Sequence, residues 1–360
     1  TYQNIRFMKR HYLKLALFSA SFLMMTAAFA GNKDRTGQAG ATELLINPWG
    51  SSTGVFGADL ACVKGIGAMK VNIAGLGLTE KTEVGFTSMT YLRGSNITVN
   101  NLALAQKLKG GTTLGVNIMS MNFGDIQKTS TSNPDGGIGS FKPQFFNLTV
   151  GFSKEFSKNI FVGAGMTFVS EQIENIKAGA VCLETGIQYV SDDFHFGITL
   201  RNIGSTMRFS GAGFNVNTDA SSYSQYQLNR SIPQEKFELP TYLALGIGYD
   251  FYLDKKKLAN VDDKPKHRLT AMGSFTSNSF INDYITTGTE YAFKEQVMFR
   301  LGYRFEKQNA ENSFYTGLST GLTVQHKLGE DGPTVAVDYS FRTTQQPANG
   351  VHNFTLRLNF

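Results

Sequence analysis

The sequence is short of several things, and each shortage excludes something. It holds 2 cysteines, Cys62 and Cys182, with 1 tryptophan and 8 prolines in 360 residues. Two cysteines rule out a disulfide-dense scaffold. They could form one bridge in an oxidising compartment or remain two buried thiols. After the first thirty residues no apolar run approaches the ~20 residues that a spanning helix needs, so any crossing of a membrane must be made by strands. The four histidines beyond that point, His195, His267, His326 and His352, stand at no metal-ligand spacing from one another, from cysteine or from an acid. Charge of one sign is lacking too. The 34 Lys+Arg against 28 Asp+Glu include Arg6, Lys9, Arg10 and Lys14 in a first thirty residues without acids, which leaves 30 against 28. That balance removes the argument for a nucleic-acid partner.

Those first thirty residues read as an export signal. Met8 looks like a start, with residues 1–7 as upstream read-through. Lys9, Arg10 and Lys14 make a positive leader, 15–27 is apolar, and Ala28-Phe29-Ala30 before Gly31 is a small-x-small cleavage site. No cysteine follows it, so a lipid anchor is not expected.

What the rest has in abundance is glycine, at 38 residues, and Phe plus Tyr, at 29 and 14. From residue 83 onward, segments alternate apolar with polar or small side chains, and turn-forming clusters separate them. They span 83–92, 96–108, 112–121, 142–156, 159–170, 177–190, 194–203, 238–252, 266–275, 282–292, 296–306, 314–327, 334–342 and 351–360. The last reads VHNFTLRLNF. Phe354, Leu356, Leu358 and Phe360 fall on one side of a strand, and Asn353, Thr355, Arg357 and Asn359 on the other. An aromatic-ended strand of this kind fits the closing strand of an outer-membrane barrel, apolar row to lipid and polar row to lumen. In 296–306, Val297, Phe299, Leu301, Tyr303 and Phe305 oppose Met298, Arg300, Gly302, Arg304 and Glu306. Tyr and Phe recur near segment ends, where interfacial girdles belong.

The connections supply a separate test. In an even-stranded barrel with both ends periplasmic, odd-to-even connections face outside and are long, whereas even-to-odd ones are short turns. The longest, 122–141 and 204–237, are odd-to-even, and most even-to-odd connections are tight. One, 253–265, is long and charged on the short-turn side. A soluble sandwich has no reason to keep this parity. The expected fold is therefore all-β, a transmembrane antiparallel up-and-down barrel of about fourteen strands over 83–360. Residues 31–82, rich in Gly and Ala and without alternation, are expected to fold inward as a plug, with a periplasmic extension as the alternative.

Motifs for chemistry are few. Gly50-Ser51-Ser52-Thr53-Gly54 matches the G-x-S-x-G nucleophile pattern, but Asn47-Pro48-Trp49 before it is turn chemistry and not a buried strand. Gly65-Ile66-Gly67 starts a dinucleotide fingerprint that Lys70 breaks. Residues 133–137 lack the acids of a calcium loop. No catalytic residue, cofactor or metal is expected. The long outer connection carries aromatics, among them Phe209, Phe214, Tyr223 and Tyr226, as candidates for contact with a partner. The alternative is that the loop folds over the barrel mouth and buries them.

Gly37-Gln38-Ala39-Gly40-Ala41-Thr42-Glu43-Leu44-Leu45-Ile46, Asn72-Ile73-Ala74-Gly75-Leu76, and Phe196-Gly197 through Arg201-Asn202-Ile203-Gly204 with Leu239-Pro240 resemble elements of the PorV/PorQ family of outer-membrane proteins. These are relatives in architecture of the FadL-type channels. In the second element Ile73 stands where that family has proline. The resemblance implies a barrel in the outer-membrane lipid with a part in type IX protein secretion. Its partners would be a large translocon subunit and the C-terminal targeting domains of secreted cargo, received on the outer loops. The alternative is a FadL-like transporter of small hydrophobic compounds. A porin is disfavoured by the glycine-heavy inner faces.

Overall fold

The computed structural model describes residues 35–219, 227–254, 266–306, 314–329, 332–346 and 348–360. The export signal read in residues 1–30 lies outside them, as do Tyr223 and Tyr226.

Fourteen strands form the wall: β1 Thr82–Leu92, β2 Ile97–Lys107, β3 Thr112–Asn122, β4 Gln144–Ser157, β5 Ile160–Ile173, β6 Ile176–Val190, β7 Phe194–Gly204, β8 Tyr242–Tyr252, β9 His267–Asn278, β10 Tyr284–Phe293, β11 Val297–Glu306, β12 Tyr315–Lys327, β13 Thr334–Thr344 and β14 Val351–Asn359. Each pairs antiparallel with the next. β14 returns to β1, with Asn353 opposite Met89 and Leu358 opposite Val84, so the sheet closes and no edge is left unpaired. Closure is what lets strands cross a bilayer, because each strand then has a neighbour on both sides to pair its backbone groups.

Period-2 alternation sorts the two faces. Phe299, Leu301, Phe305 and Phe354 lie on the outside and are 52–59% exposed, whereas Asn353 and Thr355 on the inside are 1% and 2% exposed. A soluble protein does not present a continuous belt of Phe, Leu and Val to water; here the belt is the lipid-facing surface. Tyr249 with Phe251 and Tyr303 with Phe305 stand in ring contact at the two ends of the wall, as interfacial aromatics do. Not all strand-end aromatics belong to these girdles. Tyr91, Tyr284 and Tyr315 fall on the opposite parity and face the lumen, against the girdle expected from their position alone.

Inside the wall, residues 42–78 fold as a hatch of short turns: Thr42–Leu45, Gly50–Thr53, Ala58–Ala61, Gly65–Lys70 and Ile73–Leu78. Its apolar side chains, Trp49, Leu60, Ile66, Met69 and Leu76, meet Ala103, Ala105 and Ala244 of the wall. The wall makes room by a belt of small lumen-facing residues at one height, many of them paired across strands: Gly115 with Gly151, Gly151 with Gly165, Gly163 with Gly186, Gly197 with Gly246, and Gly288 with Gly302. The Ile73 side chain sits 2.4 and 2.5 Å from where a Cβ on Gly151 or Gly165 would stand. At Gly163 the obstacle is the hatch backbone itself, Ala74 N and Ile73 C and O at 2.8 Å from such a Cβ, so there the strand needs glycine. Asn72 pins the same turn. Its side chain accepts from the Ala74 amide at 3.2 Å and donates to the carbonyls of Leu60 at 3.3 Å and Ile187 at 3.1 Å, joining three segments through one buried amide.

The nucleophile-like stretch turns out to be one helical turn of the hatch. Ser52 is buried and donates to Asp59 at 2.6 Å, and among the described residues no histidine bonds to either. Cys62 and Cys182 are both free thiols.

Candidate functional site: two chambers divided by the hatch

Read from the short-turn end outward, the lumen face of a strand has three layers. β11 runs Arg300, Gly302, Arg304, and β13 runs Asp338, Ser340, Arg342. Charges sit below the hatch, small residues at its level, and charges with aromatics above it. Two cavities result, one on each side.

The lower cavity, of about 530 Å³, is polar and lined by charged side chains. Its wall is a chain of ion pairs and hydrogen bonds passing from strand to strand. His195 Nε2 lies 3.0 Å from Asp250, and Asp250 lies 3.5 Å from Arg268. Arg268 donates to Glu290 at 2.8 Å, which also accepts from Arg300 at 2.6 Å. Arg300 donates to Thr323, and Thr323 donates to Asp338. Asp338 accepts from Arg357 at 2.8 Å, Arg357 faces Glu83 at 3.7 Å, and Glu83 accepts the hatch amide of Ile66 at 3.1 Å. From Asp250 on β8 to Arg357 on β14, each of these acids has an arginine beside it, which answers charges that would be costly to bury alone.

The upper cavity, of about 370 Å³, is different in kind. Tyr91, Phe123, Phe145, Tyr284 and Tyr315 line it together with Leu45, Ile46 and Met121. Phe123 meets Phe145 edge-on at 4.8 Å, and Tyr91 stacks on Phe314 at 5.8 Å. Its charged members are Arg304, Arg342, Glu306 and Glu43. Arg304 pairs with Glu306 at 3.2 Å and lies flat over the Tyr284 ring, 3.6 Å from its centroid. Glu43 belongs to the first turn of the hatch. Burial, with the neighbouring Glu171 carboxyl adding to it, pushes Glu43 up to about 8, so it holds its proton at neutral pH.

At one point the partition between the cavities is a single turn of chain, Ser52 to Gly57. Val55 lines the lower cavity. The next residue, Phe56, meets Tyr315 edge-on at 5.2 Å and lies 5.9 Å from the guanidinium carbons of both Arg304 and Arg342, all members of the upper cavity. The turn rests on three neighbouring strands: Gly288 and Gly302 approach Val55, and Gly321 approaches Gly54. Ser319 donates to the Gly54 carbonyl at 3.1 Å, which ties the turn down. Phe56 holds φ +56°, a left-handed conformation that a bulky residue rarely keeps without a reason.

Of the loop aromatics, Phe209 packs on Phe237 at 5.8 Å, in a cluster with Met207, Leu239, Ala41 and the hatch residue Leu44. It thus ties the long outer connection down onto the hatch. Phe214 is half-buried at the foot of a small ladder between Asn215–Asp219 and Gln227–Ser231. The structure does not bring these two into the upper cavity. Sequence reasoning missed Arg342 and Phe56 as members of a site. Arg304 had been placed on the lumen face by parity, and the same parity carried through β13 reaches Arg342. Nothing local marks Phe56.

A closed fourteen-stranded barrel with an apolar belt outside and a hatch within is an outer-membrane β-barrel. In fold it is similar to the toluene transporter TodX of Pseudomonas putida, at 12% identity and a TM-score of 0.53 over 87% of this chain and 97% of that one. It is also similar to a FadL homologue of Pseudomonas aeruginosa, at 11% identity and a TM-score of 0.49 over 92% and 98%. No protein-family model matches the chain, and no curated protein matches it in sequence.

Proposed function

We propose that this barrel admits small, largely apolar solutes from the outer surface to the periplasm. The observation that carries this reading is the pair of cavities separated by the single turn Ser52–Gly57. Where Val55 lines the lower cavity and Phe56 meets Tyr315 of the upper one, a single turn of chain stands between the two. The likeness of fold to a transporter of toluene supports the reading. The route needs no wholesale exit of the hatch, which is bound to the wall by Asn72, by Gln188 to the Ala61 carbonyl at 2.7 Å and by Ser153 to the Ala74 carbonyl at 2.7 Å. A swing of Val55 and Phe56 would suffice.

Uptake of a radiolabelled single-ring aromatic solute tests this. Cells carrying the barrel in their outer membrane should accumulate it several times faster than cells without it. Equal rates would remove transport.

A second reading, reception of secreted cargo domains for a type IX translocon, is supported by the family-like stretches of sequence and by Ile138, Val216 and Ile232 standing exposed on the outer connections. It predicts that tagged barrel from native membrane brings down a very large translocon subunit with cargo. Failure of that capture, alongside measurable uptake, would leave transport alone.

A further inference from the structure

We propose that the upper cavity is a binding site for a small aromatic anion, with Arg342 receiving its negative charge and the surrounding rings its flat body. The inference deepens the transport reading and rests on it for its biological sense.

The starting point is an imbalance. Buried arginines of the lumen otherwise face carboxylates: Arg201 faces Glu184, Arg268 faces Glu290 and Glu295, Arg300 faces Glu290, and Arg357 faces Asp338. Arg342 does not. It is 7% exposed, and among the described residues its contacts are the Met89 sulfur at 3.4 Å, the Tyr315 ring at 5.0 Å and the Phe56 ring at 5.9 Å. A guanidinium cannot shed its proton to escape burial, and ring faces and a thioether answer its charge only in part. The remainder of the cavity does not answer it either. Glu306 pairs with Arg304 at 3.2 Å, and among the described residues no carboxylate stands within 4.0 Å of the Arg342 guanidinium. The lining therefore carries one unanswered positive charge, turned into a cavity of about 370 Å³.

The walls define the rest of the ligand. Tyr91, Phe123, Phe145, Tyr284 and Tyr315 come from five different strands or strand ends and offer faces and edges to a planar body. The volume is at the small end for ligand pockets, which suits one ring or two fused rings bearing one acid group. A neutral hydrocarbon would fill the walls and leave Arg342 unanswered. An aliphatic acid would answer Arg342 but forgo the ring contacts.

The test is calorimetric titration of the full chain in detergent micelles, with empty-micelle blanks, using 2-naphthoate, its neutral methyl ester and octanoate. The expected result is saturable binding of 2-naphthoate, at least about tenfold weaker binding of the ester and of octanoate, and a loss of about tenfold or more in Arg342→Met. Arg342→Lys should recover part of that loss. The comparison among the three ligands is made on the unaltered barrel and stands even if a variant fails to fold. Ester binding as tight as the acid, or a folded Arg342→Met that binds unchanged, would overturn the charge assignment. Octanoate binding as tight as 2-naphthoate would overturn the aromatic one. Binding without uptake would remove transport and keep the site; uptake without saturable binding would do the reverse.

Discussion

Gly302→Val is expected to dislodge the hatch while leaving the strands paired. A Cβ at position 302 would stand 2.4 and 2.6 Å from the Val55 carbonyl carbon and Cα, and 2.6 Å from the Ser319 hydroxyl. Val55 presents backbone here, so no rotamer change relieves the clash, and Gly288 and Gly321 on the two flanking strands leave the turn no better seat. Overpacking a close-packed interior costs about 1–3 kcal/mol, and a backbone obstacle belongs at the upper end of that range. The side chain at 302 faces the lumen, so the lipid belt and the strand ladder are untouched. The hatch should loosen, heat-unfolding of the barrel should fall by several degrees, and protease cutting should appear around residues 52–60. Unchanged protease resistance in a correctly inserted barrel would mean that the turn does not sit where these contacts place it.

Phe56→Gly and Phe56→Ala should both speed solute uptake several-fold, because each removes the ring that packs against Tyr315, Arg304 and Arg342 of the upper cavity. Their stabilities should part in an unusual order. Glycine in the left-handed region carries no Cβ penalty, whereas alanine pays about 1–2 kcal/mol there. With φ at +56° the Gly variant should exceed the Ala variant by about 1 kcal/mol, the reverse of the order in a regular element. Both variants should be less stable than the parent. The lost ring is 8% exposed, and removing such a side chain costs about 3–5 kcal/mol against that smaller relief. Faster uptake with the Gly variant above the Ala variant would identify this turn as the partition. An Ala variant at or above the Gly variant would contradict the backbone geometry.

Much of the wall was legible in the sequence because a strand's inside and outside differ at every residue. The period of two in 296–306 separates Phe299 and Leu301 from Arg300 and Gly302 whatever the neighbouring strands do. The parity of connection lengths separates a barrel from a sandwich. What could not be read was anything that depends on register between strands. Glu83, Asp338 and Arg357 are visible as charges on inner faces, yet only the pairing of β1 with β14 and of β13 with β14 brings Arg357 to both acids. The hatch was opaque for a different reason. Its turns are of four to six residues, too short for any apolar period to show. The glycines that seat it lie on the strands, far away in sequence. Of the outer aromatics, Phe209 packs on Phe237, a contact between residues far apart in the loop that no local pattern shows.

The most direct measurement of the central claim is electrical. In planar bilayers the full chain should hold its current near the baseline, because the hatch packs across the lumen at the height of the glycine belt, with one chamber on either side of it. The same chain lacking residues 42–78 should conduct steadily, at tenfold the current or more. A full-length barrel that already conducts as an open pore would show that the hatch does not divide the lumen.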